Sequence, residues 1–310
     1  MSHNPFTADA AIRARIEQLT AEIGADISAA VQQSLRSLPD PATNLGGIVE
    51  KPEVDRMLAE YRLASVEELM LLALGVAREI AHPPISDFHV GSVGLEAETG
   101  NLVLGGNVEF PGTHLGYTVH GEGFVFTRAF SRGTTISTIA IGEAHPCAHC
   151  RQYLSEFAST RDLVLIDPLG HRLTMAELYP WPFDPDYLGE TGAVPGRRLW
   201  TLDAEDPLLR EAGERAHTPY SKCPGAIVLT LADGSQVRGA AIESVAFNPT
   251  MGPLQAALID LIAHGRSYDE IVSARLGTVC SGAIDYSMSV DELLGKVAPQ
   301  ANLEVVNWSP

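Results

Sequence analysis

The side chains best suited to chemistry in this 310-residue chain are His120, Glu122, Cys147 and Cys150. They stand as His120-Gly121-Glu122 and, further on, Pro146-Cys147-Ala148-His149-Cys150. Two thiolates and one imidazole are soft or borderline ligands, and together they leave the fourth tetrahedral position of a zinc ion open to water. An open position implies catalysis, with the metal making that water acidic. Glu122 beside the water is then a proton carrier and not a ligand. The competing reading is a zinc-stabilised interaction module without turnover, which needs a fourth protein ligand. A Cys-x-x-Cys pair taken alone also suits a structural metal or a redox couple.

These groups constrain the elements that carry them. Residues three apart share a helix face, so Cys147 and Cys150 can hold one ion, with Pro146 just before the helix starts. The unpaired amides and positive dipole end there favour thiolates. His120 and Glu122 are two apart and would face opposite ways inside a helix, so they belong where a helix begins. His145 and His149 flank the cysteines. His149 falls between them and points away from their shared face, which leaves His120 as the preferred ligand and His145 to contribute through its backbone. Cys223 and Cys280 have no partner at metal-binding spacing and read as buried small residues.

Around this core the apolar pattern predicts a helix from Thr7 to Leu38, through Ile12, Ile16, Leu19, Ile23, Ile27, Val31 and Leu35, ended by Pro39 and Pro41. Ser65-Val66-Glu67-Glu68 predicts a capping box opening a second helix that closes before Pro83 and Pro84. A hairpin follows, Phe88 to Leu95 and Leu102 to Val108, turning at Glu98-Thr99-Gly100-Asn101. Next come a helix from His120 to about Phe130, a strand at Ser137 to Ile141, a helix opening near Cys147 and a strand at Leu163 to Ile166. Strands interleaved with helices predict a three-layer α/β/α unit. Beyond a Pro-rich connector, Pro219-Tyr220-Ser221-Lys222 echoes Pro84-Ile85-Ser86-Asp87, and Gly239 to Glu243 echoes Gly105 to Glu109. This is a diverged duplication at an offset of 135 drifting to 134. Continued along the chain, where the offset falls further to 132, it sets Gly252 opposite His120 and Leu254 opposite Glu122, so the second copy has lost the chemistry. The expected organisation is an N-terminal helical segment (1–48), a catalytic domain (49–177), a connector (178–202) and a degenerate copy (203–310).

Composition limits the partners. With 45% hydrophobic and 19% charged residues the chain is an ordinary globular one. Its 21 basic against 39 acidic residues leave −18, a surface that repels phosphate backbones, so no nucleic-acid partner is expected. No apolar run approaches the ~20 residues that cross a bilayer, and Met1 to Ala10 shows no signal core, so no membrane and a cytoplasmic location are expected.

From Pro84 to Phe157 the strings Phe88-His89-Val90-Gly91, Gly106-Asn107-Val108-Glu109-Phe110, Thr118-Val119-His120-Gly121-Glu122 and Pro146-Cys147-Ala148-His149-Cys150-Arg151-Gln152 closely resemble cytidine deaminase. The H-x-E with P-C-x-x-C pairing is the zinc-deaminase signature. The N-terminal segment, the connector and Phe247-Asn248-Pro249-Thr250 resemble the larger, two-copy, homodimeric branch of that family. The resemblance implies one zinc per subunit on His120, Cys147 and Cys150, with Glu122 as proton carrier. It implies Asn107 and Glu109 on the ribose hydroxyls, Phe88 against the pyrimidine, and Phe183 reaching the pyrimidine of the partner subunit. It also implies the Gly121 amide on the pyrimidine oxygen and the His145 carbonyl facing the departing amine. The expected reaction is hydrolytic deamination of cytidine and 2′-deoxycytidine in pyrimidine salvage. The alternatives are another cytosine-type nucleoside, a base in a nucleic acid, or the non-catalytic zinc module. Two departures stand out, Gly121 where the family usually has alanine and His145 where it more often has threonine. Neither removes a ligand, so activity is expected to survive.

Overall fold

The computed structural model describes residues 6–36, 40–142 and 145–309. The first helix, α1 (Ala10–Arg36), buries Ile16, Leu19, Ile27 and Val31 along one face; its expected end at Leu38 and Pro39 lies outside the described residues. A two-residue strand, β1 (Ile48–Val49), precedes α2 (Lys51–Glu60) and α3 (Val66–Ile80). Helix α2 was not expected from the sequence. It buries only Val54 and Met57, too few to show a period, and Arg56 pairs with Glu53 and Glu60 on its exposed side. At the start of α3 only half of the expected capping box forms. Ser65 accepts from the Glu68 amide at 3.3 Å, while the Glu68 carboxylate turns to the amide of Ala64 at 2.8 Å.

The first sheet holds β2 (Gly91–Glu96), β3 (Leu102–Gly106), β4 (Ile136–Ile141), β5 (Val164–Ile166) and β6 (Arg172–Thr174). Helices α4 (Gly121–Arg132), α5 (Ala148–Ser155) and the single turn α6 (Met175–Leu178) complete this half. Among the described residues the strand order is β1-β3-β2-β4-β5-β6. Strand β1 pairs Ile48 with Val103 and Val49 with Leu102, so the expected boundary at 48/49 falls within a strand. Alternation divides the sheet. Val93, Leu102, Leu104, Ala140 and Ile166 pack with α1, α2 and α3, while Val103, Ile139, Ile141 and Leu165 pack with α4 and α5. Helices thus cover both faces.

After the connector come α7 (Pro207–Glu214), β7 (Ala226–Leu231), β8 (Gln236–Ala240), α8 (Pro253–Ala263), β9 (Ile271–Thr278), α9 (Ser287–Val297) and β10 (Asn302–Asn307). The order β10-β9-β7-β8 repeats β5-β4-β2-β3. The repetition reaches fine detail. A register shift between Leu95 and Glu96 recurs between Thr230 and Leu231, and the left-handed turn residues Asp87 and Gly100 recur as Lys222 and Gly234. Gly252 caps α8 as His120 caps α4. The two halves share one core, in which Phe124 and Phe126 of α4 pack in the same cluster as Leu254, Leu258 and Leu261 of α8.

Candidate active site

Two helix starts converge on one point. His120 is the N-cap of α4, with Gly121 and Glu122 as its first two helical residues. Cys147 is the N-cap of α5, its sulfur accepting from the Cys150 amide at 3.5 Å. His120 Nδ1 lies 3.2 Å from Cys150 Sγ and 3.5 Å from Cys147 Sγ, and the sulfurs are 3.7 Å apart. A tetrahedral metal about 2.3 Å from sulfur and about 2.0–2.1 Å from nitrogen would set the sulfurs about 3.8 Å apart and nitrogen about 3.5 Å from each. The donor set therefore fits zinc in type and in spacing. Hydrogen bonding from Cys150 and His120 pulls the Cys147 thiol down to about 3, while its contact with Cys147 and its own burial push Cys150 up.

Glu122 is buried, and that burial raises its carboxyl above the ordinary range. Gly121 packs against β2. A β-carbon built on it would sit 2.3 Å from Ser92 Oγ, so the serine hydroxyl fills the room that glycine leaves. Ser92 is wholly buried, and its hydroxyl has no hydrogen-bond partner among the described residues.

Asn107 and Glu109 lie just beyond β3 and are both buried. The Asn107 amide donates to the Phe88 carbonyl at 2.8 Å and accepts from the Val90 amide at 2.9 Å. One N–H and one lone pair remain for a ligand. Glu109 accepts from the amides of Ile85 and Ser86 at 2.8 and 2.9 Å and from the Ser86 hydroxyl at 2.5 Å. Burial pushes the Glu109 carboxyl up, but these hydrogen bonds and nearby His120 outweigh it and hold it below its usual range. Phe88, whose carbonyl is so held, keeps an exposed ring.

Ser86 and Ser92 escaped the sequence reading. Ser86 had a signal, because the second copy repeats the arrangement: Glu243 accepts from the amides of Tyr220 and Ser221 at 3.1 and 3.2 Å. Ser92 had none, since only the fold brings β2 against the start of α4. Arg151, next to Cys150, donates to the main-chain carbonyls of Pro146 and Leu178 at 2.8 and 3.0 Å, fastening the start of α5 to the end of α6. The exposed His145 ring turns away toward Asp167, 3.5 Å from its carboxylate. Phe183 is not brought to this metal centre. Gln152 of α5 grips its backbone, donating to its carbonyl at 2.7 Å and accepting from its amide at 3.1 Å, while the exposed ring stacks on Tyr187 with centroids 5.5 Å apart.

Two stretches, residues 63–166 and residues 203–284, match family models that both describe the cytidine and deoxycytidylate deaminase zinc-binding region. Together with the donor set, these matches support zinc as the cofactor. Cytidine deaminase of Shewanella pealeana is 33% identical over 279 residues, covering 86% of this chain and 94% of the relative. Cytidine deaminase of Aliivibrio fischeri is 32% identical over 296 residues, covering 94% of this chain and 98% of the relative. A crystal structure of the Mycobacterium leprae cytidine deaminase, 27% identical, covers 37% of this chain and 98% of its own with a TM-score of 0.33. On the extent of these sequence matches, the chain belongs to the cytidine deaminase family.

Proposed function

We propose that this chain hydrolyses the 4-amino group of cytidine and 2′-deoxycytidine, giving uridine or 2′-deoxyuridine and ammonia. The observation that carries this reading is the spacing of His120 Nδ1, Cys147 Sγ and Cys150 Sγ at the edges of a tetrahedral site, with buried Glu122 two residues from the histidine. Zinc on those three ligands supplies Lewis acidity that brings the pKa of water toward neutrality. Glu122 takes one proton of the attacking water and delivers it to the ring nitrogen, then takes the second from the new C4 hydroxyl and passes it to the amine, which leaves as ammonia as the C4–N bond breaks. The Gly121 amide, in the first turn of α4, holds the pyrimidine oxygen. Asn107 and Glu109 hold the ribose hydroxyls, Phe88 covers the ring, and the His145 carbonyl faces the departing amine.

The assembly we assign is a homodimer in which Phe183 reaches the site of the partner subunit. Its support is the run of exposed apolar side chains along the connector, Trp181, Phe183, Tyr187 and Leu188. The need for reduced cysteines at Cys147 and Cys150 supports a reducing cytoplasm, and the proposed release of uridine supports a role in pyrimidine salvage. No helix among the described residues is long and apolar enough to cross a membrane.

The test is an absorbance time course with cytidine, cytosine, CMP and a short cytosine-containing DNA, run on wild type and Glu122→Gln. Wild type should consume cytidine with ammonia release and leave the DNA untouched. Glu122→Gln should keep its zinc and lose at least about a hundredfold in kcat. A zinc-replete Glu122→Gln protein with wild-type turnover would overturn the role of Glu122. Intact cytidine in the zinc-loaded wild type would overturn the reading as a whole.

A further inference from the structure

A second convergence of metal-binding side chains lies outside the His120 centre. Asp167 directly follows β5, and His171 sits at the far end of the turn toward β6. His145 comes from the loop leading into α5. The three offer one ligand atom each, all within 4.8 Å of one another. His171 Nδ1 is 2.8 Å and His145 Nδ1 is 3.5 Å from the same oxygen, Asp167 Oδ2. The imidazoles stand nearly edge to face, with centroids 5.0 Å apart and planes at 71°.

The carboxylate is built for this. Asp167 is only 6% exposed, and its other oxygen, Oδ1, accepts from the amides of Leu169 and His171 at 2.9 and 3.0 Å. Those bonds fix the carboxyl plane and leave Oδ2 facing the rings, as carboxylates are oriented around metals. An ion about 2.1 Å from each donor sets neighbouring donors about 3.0 Å apart at right angles and about 3.4 Å apart at tetrahedral angles. Both observed separations fall near these values. His145 is 46% exposed at its side chain, which gives an ion a route in from solvent and leaves coordination positions for water.

We propose that His145, Asp167 and His171 form a second site for a divalent first-row transition ion, distinct from the thiolate centre and without sulfur. Two imidazoles and one carboxylate favour zinc, cobalt, nickel or copper over magnesium or calcium. Because His145 lies two residues before Cys147, an ion there ties the loop entering α5 to the β5–β6 turn. It is weaker than the His120 centre, since it has no thiolate and one histidine is half open to water.

The test is cobalt(II) titration of the zinc-loaded full chain, followed by calorimetry and visible absorption. The expected result is one further equivalent whose spectrum shows weak ligand-field bands and no sulfur-to-metal charge transfer. Its affinity should fall by about tenfold or more in His171→Ala and in Asp167→Asn, while zinc content and cytidine turnover stay at wild-type levels. Saturation with no further equivalent in the wild type overturns the proposal, and this outcome does not depend on any variant folding. A further equivalent that survives both substitutions, or one with charge-transfer bands, also overturns it. In either case the three side chains are an ordinary hydrogen-bonded ion pair.

Discussion

Gly121 and Ser92 act as one unit. A methyl group at 121 would meet Ser92 Oγ at 2.3 Å, and the contact lies in the first turn of the helix that carries His120 and Glu122. Gly121→Ala should therefore destabilise the fold by about 1–3 kcal/mol, as overpacking does, and lower kcat by moving the helix start. Ser92→Ala removes a buried hydroxyl that has no partner among the described residues, so it should be neutral or slightly stabilising. The double variant should regain most of both losses. Thermal melts together with kcat/KM on cytidine check the cycle, and an additive double variant would show that the two positions are independent. At this scale much of the site was legible. His120, Glu122, Cys147 and Cys150 announce themselves by type and spacing, and the helix-start argument for His120 follows from the angle per residue. What could not be read was which neighbour fills a glycine's space, because that neighbour lies on a strand 29 residues earlier in the chain. The direction of the His145 ring was equally hidden, since its partners come from the β5–β6 turn.

Helix α5 joins the metal centre to the connector. Its N-terminus carries Cys147 and Cys150, and two residues past Cys150 Gln152 holds the Phe183 backbone at both its amide and its carbonyl while accepting from the Tyr179 hydroxyl at 3.0 Å. Gln152→Leu leaves those groups without partners, at a cost of about 1–3 kcal/mol. If the connector completes a partner's site, KM for cytidine should rise in this variant while zinc content holds; unchanged KM in a folded protein would remove the connector from substrate binding. In the first half the long helices and main strands were legible, α1 from its periodic buried face and β2 and β3 as apolar runs around a turn, whereas the second half was legible only as an echo of the first. Helix α2, with two buried residues, and the short pair β6 and α6 were not, since three or four residues carry no period.

Across the whole molecule the two halves are joined by buried charge. Arg128 of α4, fully buried, reaches Asp260 of α8 at 2.9 Å and also donates to Gly46 and Asn44. Glu156, also fully buried, meets His217, the Tyr220 hydroxyl and the Val245 amide, each at 2.7 Å. Although burial opposes ionisation of Asp260, the Arg128 guanidinium and His264 hold its carboxyl below the ordinary range. A carboxyl lowered in the folded state adds stability above its unfolded pKa of about 4 and loses it as the pH falls. Asp260→Asn should accordingly cost about 3–5 kcal/mol near neutrality, with a smaller deficit in acid. Urea midpoints at pH 7 and at a pH well below 4 check this, and equal deficits at both would discount the charge. The duplication itself was legible in the echoed strings, but the packing of α4 on α8 was not, because an offset relates positions without saying which faces meet. That shared core has a consequence for any shortened version of this protein. A chain ending at the connector would keep every metal ligand yet leave bare the apolar side of α4 that α8 now covers. Only another polypeptide could cover it, so an interface now held at a fixed, internal concentration would become one governed by dilution. The second half thus acts as a permanently tethered neighbour, sparing this one interface a dependence on the protein's own abundance.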